Sequence, residues 1–93
     1  MKVDYDKLDE GLKNLRGLDF EAVEQRMYRA DKIYANITFS KEFQARLAAA
    51  ALSVPYEDIT ELPLKEYTAV TQRGFAFLYS TSDDETLAEN SEA

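Results

Sequence analysis

Four acids, Asp4, Asp6, Asp9 and Glu10, crowd the start of this 93-residue chain and raise the question of calcium. An EF-hand loop places oxygen ligands at alternate positions, a glycine at the sixth and a glutamate at the twelfth. Here the third acid takes the sixth place and Gly11 comes two positions later, so the spacing fits a solvated helix start instead. The paired carboxylates Glu57/Asp58 and Asp83/Asp84 fall in a turn and in a polar C-terminal stretch, where nothing desolvates them and raises a pKa. The chain has no cysteine and no histidine, which removes a catalytic thiol, a zinc–thiolate site and the commonest general base and metal ligand. Its serines and threonines therefore lack a base, and its three glycines are isolated, so no phosphate-cradling loop exists. The residue types predict no catalytic, cofactor or metal site. The chain does not read as an enzyme.

Charge narrows the choice further. The net charge of −7 is concentrated in the last 13 residues, where Asp83, Asp84, Glu85, Glu89 and Glu92 stand without a base. The other 80 residues carry a net −2, and no basic surface is available to displace counterions from nucleic-acid phosphates. No apolar run approaches the roughly 20 residues of a membrane span, and charged residues interrupt the N-terminus where a signal peptide has its apolar core. The reading is a cytoplasmic protein with neither a nucleic-acid nor a membrane partner.

Apolar spacing predicts helices. Tyr5, Leu8, Leu12 and Leu15 form one helical face, with Asp4 placed to cap it and Gly17 to end it. Asp19 is placed to cap a second helix, with Leu18 and Val23 as a hydrophobic staple and a stripe of Phe20, Val23, Met27, Ala30 and Tyr34. After a break at Asn36 to Phe39, Ser40 caps a third helix reaching about Ser53. Its alanine run implies close neighbours on more than one side, or simply strong helix propensity. Val54-Pro55 stops that helix, Tyr56 to Thr60 fits one helical turn, and Pro63 starts a last helix running to about Tyr79. The fold class expected is all-α, a small bundle of about four helices over residues 1–80. Residues 81–93 read as a disordered acidic tail.

The last helix carries more apolar surface than one stripe uses. Tyr67, Val70, Gly74, Phe77 and Leu78 define its core face, while Phe75 and Tyr79 project roughly 100–140° away from the stripe's centre. A wider buried face explains them, and so does an aromatic patch that meets another chain. Phe75 and Tyr79 are the candidate partner-binding residues.

From Phe43 onward the sequence resembles the tail assembly chaperones of long-tailed bacteriophages and prophages. The resemblance lies in Phe43-Gln44 before the alanine-rich Ala48 to Leu52, the turn Pro55-Tyr56-Glu57-Asp58, the helix start Leu62-Pro63-Leu64-Lys65-Glu66-Tyr67, and Val70 through Phe77-Leu78. Leu18-Asp19-Phe20-Glu21 is similar to an earlier helix start in that family. Gly74 departs from the pattern, where the family usually has a larger residue, and so does a helical N-terminus, where many relatives start as a strand.

The resemblance implies a partner, the phage tape measure protein, whose hydrophobic segments such chaperones keep soluble until tail tube subunits polymerise around it. It also implies a longer frameshifted form that binds the tail tube protein, and it leaves room for self-association. The alternative is a small regulatory or adaptor protein, antitoxin-like or anti-repressor-like, that caps a protein partner with its last helix.

Overall fold

A computed structural model describes residues 1–28 and 36–81. Every regular element among them is helical: α1 (Tyr5–Asn14), α2 (Gly17–Tyr28), α3 (Lys41–Leu52), α4 (Tyr56–Thr60) and α5 (Leu64–Ala76). A 3-10 turn spans Ile37–Phe39, and a π-helical turn spans Phe77–Thr81. The architecture is the expected all-α bundle. Ala30, Tyr34 and the tail beyond Thr81, which the sequence reading assigned, lie outside the described residues.

The third helix organises the rest. α1, α2, α4, α5 and the 3-10 turn all pack on α3. Its small side chains make this possible: Ala45, Ala48, Ala49 and Ala51 are buried beside Phe43 and Leu47, so neighbours approach from several directions. The approach is closest at Gly11 of α1, where an added Cβ would collide with the Ala51 carbonyl. A glycine inside a helix costs about 1 kcal/mol relative to alanine. This crossing explains its presence.

Helix ends follow local chemistry, with one correction. The Asp4 carboxylate accepts from Lys7 N at 3.1 Å and starts α1, and Ser40 Oγ accepts from Phe43 N at 3.5 Å to start α3. Gly17, expected to end α1, instead opens α2, and Asp19 is not the cap. The Asp19 carboxylate lies inside the first turn and reaches back to accept from Arg16 N at 2.8 Å. Because α2 begins three residues earlier than a cap at Asp19 implies, Leu18 is helical and 65% exposed and forms no staple. Ser53 adopts a left-handed conformation (φ 58°) and ends α3 with hydrogen bonds back to Ala49 and Ala50, so the helix has stopped before Pro55.

The stripe on α5 is also shifted. Val70 and Gly74 are buried as expected, but Thr71 joins them, its hydroxyl satisfied by Tyr67 O at 3.0 Å and Thr68 O at 3.1 Å. Tyr67, Phe77 and Leu78 are only half-buried, against the margin of the core. For Phe77 and Leu78 the cause is the π-helical turn that they open. Its wider winding takes the last residues off the 100° progression on which the expectation was drawn.

Candidate protein-binding surface

Phe75 sits in the last turn of α5 and Tyr79 in the π-helical turn, and both are half-buried. Their ring centroids lie 4.7 Å apart. The structure adds a third ring, Phe39, from the 3-10 turn. It lies 5.7 Å from Phe75 and 5.7 Å from Tyr79, almost parallel to the latter at 5°. Packed aromatic pairs of this kind contribute about 0.5–1.5 kcal/mol beyond the area they bury. Yet Phe39 remains 60% exposed.

Hydrogen bonds fix this cluster to the fold. Asn36 Oδ1 accepts from Thr38 N at 3.1 Å and from Thr38 Oγ1 at 2.7 Å, which shapes the 3-10 turn. Thr38 Oγ1 thereby uses its one proton, so the Tyr79 hydroxyl that contacts it is the donor. The rings are held in a fixed arrangement at the surface. Beside them, Phe39, Lys41, Gln44, Gln72 and Phe75 line an open groove. Lys41 is the one charged residue among those five.

Gln44 is the unusual member. It is 4% exposed, and its Nε2 donates to Thr38 O at 3.0 Å, which fixes the orientation of the amide. Its Oε1 is buried without a hydrogen-bond partner. A buried orphan acceptor of this kind costs about 1–3 kcal/mol.

A second apolar groove lies on the other flank of the π-helical turn. Leu12, Leu15, Phe20, Leu47, Phe77 and Leu78 line it, with Arg16 at the rim. The ring of Phe20 stands edge-on to Phe43 with centroids 4.8 Å apart, so this groove's floor is core.

Two of the acids singled out first have structural partners. Asp4 caps α1, and Asp9 pairs with Arg73 Nη1 at 2.6 Å, while the Arg73 guanidinium lies 4.7 Å from the centre of the Tyr5 ring. Glu57 and Asp58 occupy the first turn of α4, and Asp83 and Asp84 lie outside the described residues. No group of three such ligands is placed to hold a metal ion among the described residues. Likewise, no helix among them is long and apolar enough to cross a membrane.

One hydroxyl is tuned. The Tyr56 ring lies under the Arg46 guanidinium at 4.0 Å, and Arg46 pairs with Glu42 at 2.9 Å. Burial first, and the Glu42 carboxylate second, push the Tyr56 hydroxyl above its ordinary value of 10.0, with Arg46 opposing. The group stays a protonated donor at neutral pH.

Sequence reasoning missed Phe39 and Gln44. Phe39 stood in a stretch read only as a break, and nothing in linear spacing pairs it with rings some 36–40 positions away. No protein-family model, curated protein or solved structure matches this chain.

Proposed function

We propose that this chain is a non-enzymatic tail assembly chaperone of a long-tailed bacteriophage or prophage. It binds the tape measure protein in the host cytoplasm and keeps its apolar helical segments soluble. The observation that carries the reading is the Phe39–Phe75–Tyr79 cluster, a fixed aromatic surface with its outermost ring 60% exposed. Aromatic anchors of limited side-chain freedom, partly desolvated before binding, are the residues that dominate protein interfaces. The resemblance from Phe43 onward supplies the partner class, and with it the longer frameshifted form that engages the tail tube protein.

Co-expression with the tape measure protein tests this. The wild-type chain should raise the partner's soluble fraction, and a Phe75→Ser, Tyr79→Ser double variant should fold yet fail to do so. If the double variant retains full chaperoning, the surface is not the binding site. If the wild-type chain leaves the tape measure protein insoluble, the chaperone reading falls and the adaptor reading replaces it.

A further inference from the structure

A cleft opens between α2, α3 and α4, and it shares no lining residue with the groove beside the aromatic cluster. Buried Val23 and Ala49 contribute its apolar surface, and the short side chains of Ala22 and Ala50 leave the space open. Its polar lining is Arg46 of α3, Arg26 of α2, the Tyr56 side chain of α4 and Asp19 at the start of α2.

Arg46 is held in one orientation here. Glu42 accepts from its Nε at 2.9 Å, the Tyr56 ring lies 4.0 Å from its guanidinium carbon, and its side chain is only 23% exposed. Those contacts occupy one N–H and one flat face of the guanidinium. The edge formed by Nη1 and Nη2 has no acceptor among the described residues. Neither the Arg26 guanidinium nor the Tyr56 hydroxyl has a hydrogen-bond or ion-pair partner among them. Asp19, the acid in the lining, is already engaged as acceptor for Arg16 N at 2.8 Å. The cleft thus offers donors in excess of acceptors, and one arginine is fixed before any ligand arrives.

The chemistry of the occupant follows from this surplus. A cation would meet two guanidinium groups with repulsion. A carboxylate matches an arginine edge through two parallel N–H···O bonds, which a planar fork supplies and a lysine does not. Charge limits the load: Arg26 and Arg46 are balanced locally by Asp19 and Glu42, so one negative charge suits the cleft better than the two of a phosphate dianion. We propose that this cleft binds a monocarboxylate, its oxygens on the Nη edge of Arg46 and on Arg26 and a short apolar substituent against Val23 and Ala49. The same carboxylate chemistry is offered by a free organic acid and by an acidic side chain of a bound protein. The site is separate from the aromatic surface, so it stands or falls without the tape-measure reading.

The experiment is NMR of the full chain, reading backbone amides and arginine side chains at constant ionic strength. Sodium butyrate, added to about 100 mM, should give saturable shifts at Ala22, Ala49, Ala50 and Arg46 Nε with a Kd of about 1–10 mM, ordinary for so small a ligand. Arg46→Lys keeps the charge but loses the fork, and should weaken binding about ten-fold. Arg26→Gln, on an exposed side chain, should also weaken it and keeps the test valid if Arg46→Lys unfolds the chain. N-acetylglutamic acid amide presents the carboxylate as a protein side chain does. Tighter binding of this compound than of butyrate assigns the cleft to a protein partner, and the reverse order assigns it to a free acid. Shifts that sodium chloride or butanol reproduces, or that never saturate, overturn the proposal. So does tighter binding of inorganic phosphate, or an unchanged Kd in either folded variant.

Discussion

Gly11 of α1 lies so close to Ala51 of α3 that a Cβ on the glycine would stand 2.7 Å from the Ala51 carbonyl carbon. Backbone on both sides leaves no flexible side chain to yield. Gly11→Ala should therefore reverse the usual helix-interior effect. Where alanine normally gains about 1 kcal/mol, the collision should cost a net of about 1–3 kcal/mol. Gly17→Ala is the control, since nothing lies within 4 Å of its Cβ position. Urea midpoints decide it: a Gly11→Ala chain as stable as wild type would mean that α1 does not cross α3 at this point.

Two phenylalanines four positions apart should behave oppositely. Phe43 is wholly buried in α3, so Phe43→Ala should cost about 3–5 kcal/mol and leave little folded protein. Phe39→Ala removes a ring that is 60% exposed and should keep the fold. It should nevertheless weaken capture of an apolar partner segment by about 2 kcal/mol, near 30-fold, if the cluster is the anchor. Thermal melts paired with a binding titration separate the two effects.

The Arg73–Asp9 pair joins α5 to α1, with both side chains nearly half exposed. Solvent screens it, so a double-mutant cycle through Arg73→Gln and Asp9→Asn should return a coupling of about 0.2–1 kcal/mol. The coupling should shrink in 1 M salt, where the Debye length falls to about 3 Å. A larger value that salt leaves untouched would mean the pair is desolvated.

Tyr56 supplies the alkaline limb. Its hydroxyl is raised in the fold, by burial first and Glu42 second. Its contribution to stability is complete below the unfolded value near 10 and is lost as pH rises through the higher folded value. Stability should thus fall above pH 10, and Tyr56→Phe should flatten part of that fall. Ultraviolet titration of the phenolate, wild type against variant, reads the same shift directly. A Tyr56 that ionises below 10 would contradict the burial argument.

The fold was legible where a residue's role depends on near neighbours in sequence. Asp4 and Ser40 as caps, the Phe20, Val23 and Met27 face, and the short helix after Pro55 are all local physics. Legibility failed where one element answers to another. Asp19 looked like a cap because its type suits one, but the turn at Leu15 had already started α2 at Gly17. Gly11, an unfavourable residue inside a helix, makes sense only with Ala51 placed beside it. Phe75 lies in the regular part of α5, where 100° per residue holds, whereas Tyr79 lies in the π-helical turn, which winds more widely. Their third partner, Phe39, comes from the 3-10 turn just before α3 and leaves no mark in spacing.

The dependence of every other helix on α3 sets the order in which the bundle can come apart. α2 makes its principal contacts with α3, whereas α1 and α5 also touch each other. An element with one main partner can lift away in a partial opening that leaves α1, α3 and α5 together. Deuterium should therefore enter the backbone amides of α2 at a lower opening free energy than those of α3. Exchange from α3 requires the whole molecule to unfold, because no subset of the bundle survives without it.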